Sequence, residues 1–174
     1  MQIRAEQKED FPTIELVILK AFENAEMSDQ TEHQLVGRLR DSDAYIPELS
    51  LVAEEKYEIL GHIMLTKISI GEEESVKSLA LAPVSVLPSY QNQGIGKSLT
   101  EHSLEKAREL GYESVIVLGH PGYYSKFGFQ PASQYGITAP FEVPDEAFMA
   151  LELKRGALEK VSGTVHYSPE FSQE

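Results

Sequence analysis

The chain contains no cysteine, which excludes a disulfide framework, a thiolate metal site and a cysteine nucleophile. It is also short of positive charge: 15 Lys and Arg stand against 28 Asp and Glu, a formal net charge of -13 at pH 7. Repulsion from phosphate backbones therefore disfavours nucleic acid as a partner. No apolar run approaches the roughly 20 residues of a membrane span, and the charged, amphipathic start after Met1 does not read as a signal peptide. A cytoplasmic protein away from the membrane is expected. Repeats, linkers and low-complexity segments are lacking too. What is present is ordinary globular material, 41% hydrophobic and 25% charged over 174 residues. That is a single-domain length, able to bury roughly 70% of the unfolded surface.

Helical and strand periods alternate along the chain. Residues 10–22 place Ile14, Val17, Ile18, Ala21 and Phe22 at helical spacing, with Asp10 as N-cap and Pro12 in the first turn. Residues 29–40 predict a second helix, opened by Asp29-x-x-Glu32 as a capping box and carrying Leu35, Val36 and Leu39. Strands are predicted at Leu51–Glu54, Ile59–Ser69 and Val76–Val86, with turns at Lys56-Tyr57 and Gly71–Glu74, where the acidic run reads as a solvated hairpin tip. A helix follows from Ile95 to Leu110, its stripe made of Ile95, Leu99, Ala107 and Leu110 and its stop at Gly111. Further strands are predicted at Ser114–Leu118, around Phe129 and at Ala147–Leu153, and the tail from Val165 is an appended strand or ordered coil. The expected class is α+β: one domain over residues 1–174, core 3–155 with 156–174 appended, built on a mixed, mostly antiparallel sheet flanked by helices.

The segment from Val86 to Leu99 ends a strand, turns through Gly94 and Gly96, and opens an amphipathic helix. Glycine lets backbone approach a ligand closely, and the first N–H groups of the helix have no partner within it. The macrodipole adds partial positive charge, so an anion, phosphate above all, suits the place. A Walker A loop would need glycine where Gln91 stands, and a dinucleotide fingerprint would need one at Leu99. Gln91-x-x-Gly94-x-Gly96 is what is left. By itself it is also compatible with a plain strand-to-helix turn.

Its surroundings narrow the reading. Leu79-Ala-Leu-Ala-Pro-Val-Ser-Val86 precedes it, Tyr123-Tyr-Ser-Lys-Phe-Gly-Phe129 follows, and Ile3-Arg-Ala with Asp10 opens the chain. The combination resembles the GNAT superfamily of acyl-CoA-dependent N-acetyltransferases, in particular its small bacterial YhbS-like branch, over residues 3 to 130. The resemblance implies two strands, ending near Val86 and Leu118, that splay to hold acetyl-CoA as cosubstrate. The backbone of Val84, Ser85 and Val86, and of Leu87, would pair with the pantetheine arm. The amides of Gln91, Asn92, Gln93, Gly94, Ile95, Gly96, Lys97 and Ser98 would hold the pyrophosphate, with Tyr123 beside the ligand. Pro83 and Pro88 bracket that strand and remove N–H groups from any ladder, which suits a strand partly given up to a ligand.

Tyr124 matches the family position of the acid that protonates the departing thiolate; a phenol near its reference pKa of about 10 is protonated at neutral pH. The plainer alternative is a packed pair of aromatic rings, Tyr123 on Tyr124. Many relatives carry a basic Glu on the strand before the loop, yet residues 78–86 contain no acid. Glu54 (or Glu55), His62 and His120 are the base candidates, beside proton loss through a water. Leu118-Gly-His-Pro-Gly-Tyr123 is turn-rich, so the helix usual before the Tyr is expected to be reduced. Lys97 and Lys126 could each meet a phosphate or simply be solvated. No metal site is expected.

Three classes of function stay open: an N-acetyltransferase acting by direct attack in a ternary complex, an acyl-CoA sensor or inactive module, and a phosphometabolite enzyme of another fold sharing only the Gly turn. Polyamine, aminoglycoside, amino-acid derivative, peptide N-terminus and protein lysine stay open as acceptor, in a pocket built from residues 22–46 and 130–147, and net acidity leans toward a small cationic amine. A homodimer through terminal strands, with Phe148–Leu153 as its apolar surface, is a further expectation.

Overall fold

The computed structural model describes residues 1–25, 28–72 and 76–172. The elements run β1 (Gln2–Ala5), α1 (Phe11–Phe22), α2 (Glu32–Arg40), β2 (Ser50–Glu55), β3 (Glu58–Ile70), β4 (Val76–Val86), α3 (Ile95–Glu109), β5 (Ser114–Leu118), α4 (Pro121–Tyr124), β6 (Gln130–Pro131), β7 (Ile137–Thr138), β8 (Phe148–Glu152) and β9 (Gly163–His166). The sheet is mixed and mostly antiparallel, the expected class. Two compact units emerge, one of Met1–Leu65 and Ala82–Lys106, the other of Thr66–Leu81 and Ala107–Glu174; β3, β4 and α3 contribute to both.

In the first unit β1, β2 and β3 form an antiparallel ladder. Lys56 and Tyr57 both take positive φ, 50° and 67°, which makes the two-residue turn that joins β2 to β3 with matching twist. The β2–β3 register shifts between Ala53 and Glu54, so Leu60 is the extra residue of a bulge. Helix α1 buries Ile14, Val17 and Ile18, and α2 buries Val36 and Leu39, whereas Ala21, Phe22 and Leu35, expected on the same faces, are only half-buried.

Both predicted caps are corrected. Asp10 precedes α1 but makes no side-chain cap to it, because its carboxylate accepts from the Gln7 N–H at 2.7 Å and from the Arg4 guanidinium at 2.7 and 3.1 Å. The Asp29–Glu32 box does not form either. Asp29 accepts from the backbone and hydroxyl of Thr31, while Glu32 accepts from the Ser28 hydroxyl. In each case a nearer or charged donor outcompetes the helix amides.

In the second unit β5 runs parallel to β4 and antiparallel to β8, and β6 pairs the far side of β8. The β4–β5 ladder is short, comprising Leu79↔Val115 and Ala80↔Ile116. The tail does add a strand, β9, antiparallel to the end of β3 and parallel to β7. Ile68, Ile70, Ile116, Phe148, Leu158 and Val165 centre the core of this unit. The dimer surface expected at Phe148–Leu153 is corrected: β8 has a partner strand on both sides, and Phe148, Met149 and Ala150 are buried. Of the acidic hairpin tip, Glu73 and Glu74 lie outside the described residues, as do Gln173 and Glu174 of the tail.

Candidate active site

Helix α3 begins at Ile95, and the backbone ahead of it is shaped for an anion. Asn92 and Gly94 hold positive φ, 65° and 86°, the left-handed conformation by which the chain turns tightly into α3. Among the described residues, the N–H groups of Asn92 to Lys97 donate to no acceptor, whereas the Ser98 N–H already bonds to Gly94 at 3.0 Å. Gln91 closes the loop by donating its side-chain amide to the Val86 carbonyl at 3.1 Å, and Gln93 donates to the Ser89 carbonyl at 3.4 Å. The residues from Gln91 to Gly94 are exposed, Gly96 is partly exposed and Ile95 is buried. Lys97 is exposed as well, 3.9 Å from Glu101 one turn on.

Strand β4 leads into this loop. Val84 and Val86 are partly exposed; Ser85 is buried and its hydroxyl has no partner within the described residues. The Leu87 N–H donates to the Leu60 carbonyl at 2.9 Å, so the pantetheine pairing expected of Leu87 is not available to that N–H. Behind the loop Ile95, Leu99, Leu104 and Ala107 are buried on α3, joined by Thr100 and Ser103, whose hydroxyls bond back to the carbonyls of Gly96 and Thr100. Leu110, expected on that stripe, lies past the helix end and is 38% exposed.

In the second unit the Tyr-x-Lys-Phe-Gly-Phe run forms an aromatic cluster. Tyr124 is edge-on to Tyr123 and to Phe129, with ring centroids 5.0 and 5.6 Å away. Helix α4 is only four residues long, the reduction expected from the turn-rich sequence. Gly119 makes room for the phenol: a Cβ there would lie 2.5 Å from Tyr124 Cε2, a requirement that sequence reading missed. Burial, with a smaller contribution from Tyr123, pushes the Tyr124 phenol above its ordinary value, so it carries its proton at neutral pH. Its hydroxyl bonds to no described residue, and the residue as a whole is buried. Lys126 is exposed, with Nζ 6.0 Å from the Tyr123 ring centre.

The base candidates differ sharply. Glu54 is bound to Arg4 at 2.9 Å, and Glu55 sits at the hairpin end 3.8 Å from the terminal amine. His120 is exposed at the start of α4. His62 is sealed, and it belongs to a polar network that sequence reading did not foresee. Glu6, whose side chain is fully buried, accepts from Arg40 Nε and Nη2 at 2.9 Å each, from the Tyr45 hydroxyl at 2.7 Å and from His62 Nε2 at 3.1 Å. The Ser50 hydroxyl lies 3.0 Å from the same His62 nitrogen, and Nδ1 has no partner among the described residues. Burial alone would raise the Glu6 carboxyl, but the His62 and Arg40 hydrogen bonds outweigh it and hold it well below the usual carboxylate range. Burial pushes the His62 imidazole down against the pull of Glu6. A sealed ring whose Nε2 is engaged by Glu6 and Ser50 is placed to hold strands together.

The family model "Acetyltransferase (GNAT) family" matches residues 5–129, and the chain belongs to that family. It is 30% identical to the uncharacterized N-acetyltransferase YhbS of Escherichia coli, the match covering 99% of both chains. To another, YjhQ of the same organism, it is 38% identical over 66% of this chain and 65% of YjhQ. The crystal structure of E. coli YhbS in complex with CoA superposes with a TM-score of 0.89 at 28% identity, covering 99% of this chain and 92% of that one. A GNAT family acetyltransferase from Brucella melitensis in complex with acetyl-CoA gives 0.81 at 33% identity, covering 98% and 97%. No helix among the described residues is long and apolar enough to cross a membrane.

Proposed function

We propose that this chain is an acyl-CoA-dependent N-acetyltransferase that moves the acetyl group of acetyl-CoA to a primary amine by direct attack in a ternary complex. The observation that carries the reading is the run of uncommitted N–H groups from Asn92 to Lys97 at the start of α3. An acidic protein cannot attract the polyanionic CoA by its overall field, so local amide donors must hold the pyrophosphate. The CoA and acetyl-CoA in the YhbS and Brucella structures support the same ligand here.

The neutral amine nitrogen attacks the thioester carbonyl, a C–N bond forms and the C–S bond breaks. The ammonium proton leaves to water, and the thiolate takes a proton from the Tyr124 phenol, which recovers it from solvent. Glu54 is paired with Arg4, Glu55 with the terminal amine and His62 with Glu6, which leaves His120 as the protein alternative to water in the first transfer. The favoured acceptor is a small cationic amine in a cytoplasmic setting. Beside the 22–46 segment a cleft of about 320 Å³ is lined by Ile18, Lys20, Phe22, Glu23, Glu32 and His33, so two carboxylates stand there beside one lysine.

The engaged candidates, and the absence of an acid from residues 78–86, also favour a second reading: an acyl-CoA sensor that binds without turnover. Two measurements separate them. Acetyl-CoA at about 100-fold over its Kd is expected to raise Tm by roughly 5–10 °C under either reading. Release of free CoA thiol with a panel of small amines is expected only of the enzyme. A Tm that ignores acetyl-CoA would overturn both.

A further inference from the structure

Gly61 has no chemistry of its own, yet its surroundings are tight. A Cβ at this position would lie 2.8 Å from the Ser85 carbonyl oxygen, 3.0 Å from Leu99 Cδ1 and 3.3 Å from Ile95 Cγ2. Those atoms belong to the strand that enters the anion loop and to the first turns of the helix that leaves it. The preceding residue is the bulged Leu60, whose carbonyl accepts the Leu87 N–H at 2.9 Å. The following residue is His62, and neighbours on a strand point to opposite faces. On that opposite face Ser50 and the Arg40-bound Glu6 hold its ring.

We infer that Gly61 is a positioning residue for the CoA loop: the His62 network fixes β3 from one face, and the missing side chain at Gly61 lets Ser85, Ile95 and Leu99 settle against the other. The inference rests on the acetyl-CoA reading above. A methyl group at 61 must be accommodated by movement, and packed interiors leave little slack. The fixed β3 cannot yield, so the displacement falls on the end of β4 and the start of α3, which carry the ligand's donors. Leu60 sets the height of the loop through one hydrogen bond, and Gly61 sets its depth.

The test is calorimetric binding of CoA to wild type, Gly61→Ala and Gly37→Ala, with the amide NMR shifts of Gly94 and Gly96 followed in the absence of CoA. Gly37 lies on α2, where a Cβ would meet nothing within 4 Å, and its variant is expected to bind as wild type does. Gly61→Ala is expected to bind at least tenfold more weakly and to move both glycine amides. Releasing β3 from its other face, by Glu6→Gln in the Gly61→Ala background, is expected to recover part of the affinity while lowering Tm further, which a merely structural glycine would not produce. If Gly61→Ala does not fold, Leu87→Pro replaces it. Its φ of -52° already suits proline, it removes the bond to Leu60, and tenfold weaker binding is again expected. Wild-type affinity in the variant that folds overturns the inference alone. Failure of wild type to bind CoA overturns the acetyl-CoA reading and this one with it.

Discussion

Tyr124→Phe is expected to lower the turnover of acetyl transfer about 10²-fold, near 2.7 kcal/mol of barrier, while leaving CoA affinity unchanged. The substitution is selective because the ring is held by Tyr123, Phe127 and Phe129, and phenylalanine keeps those contacts. Only the hydroxyl goes, and with it the proton that the departing thiolate would take. Since burial pushes the phenol up, it stays protonated through neutral pH and its own titration does not shape the rate there. The rise of kcat/KM with pH should therefore follow deprotonation of the amine acceptor, in wild type and variant alike. Steady-state kinetics beside calorimetric CoA binding decide it. A Tyr124→Phe enzyme with undiminished kcat would remove the phenol from the mechanism, and equal losses in kcat and CoA affinity would make it a packing residue.

The parts of this molecule that were legible in the sequence are those specified locally. Strand β4 and helix α3 follow from period, and Gly94 and Gly111 stand where the chain takes positive φ, so the loop and the helix stop could be located without contacts. Caps failed because other donors compete for the same carboxylates: Asp10 has an Arg4 brought alongside by β1, and Asp29 accepts from Thr31 two residues on. The His62 network joins residues 12, 34, 39 and 56 positions apart, and no periodicity encodes such meetings. Gly61 and Gly119 were silent for the same reason. Each is glycine because something distant in sequence or direction, Ser85 in one case and the Tyr124 ring in the other, occupies the place of a Cβ. The apolar run at Phe148–Leu153 looked like an exposed edge because alternation cannot tell a strand with two neighbours from a strand with one.

Glu6→Gln is expected to destabilise the folded protein by about 3–5 kcal/mol, because it leaves the largely buried Arg40 without its counter-charge and turns an acceptor that serves four donors into one that also donates. The cost is of this size since Tyr45, His62 and Arg40 cannot all find another acceptor in a sealed site. Acidification should act on the same network. The folded state keeps His62 neutral, whereas the unfolded chain protonates it below its ordinary value of 6.5, so the unfolded state binds more protons and stability declines as pH falls through that point. Glu6 adds to the loss further down: its carboxyl is depressed in the fold, and the stability this contributes is present above its ordinary 4.5 and disappears as pH falls below it. Urea unfolding at pH 7.5 and pH 5.5 reads the network's strength and the His62 effect. Wild type should be less stable at the lower pH, and His62→Gln should flatten that difference while being weaker at pH 7.5. An unchanged urea midpoint in Glu6→Gln would mean that the network carries no net stabilisation, and β3 would then lack the fixed face from which Gly61 sets the loop.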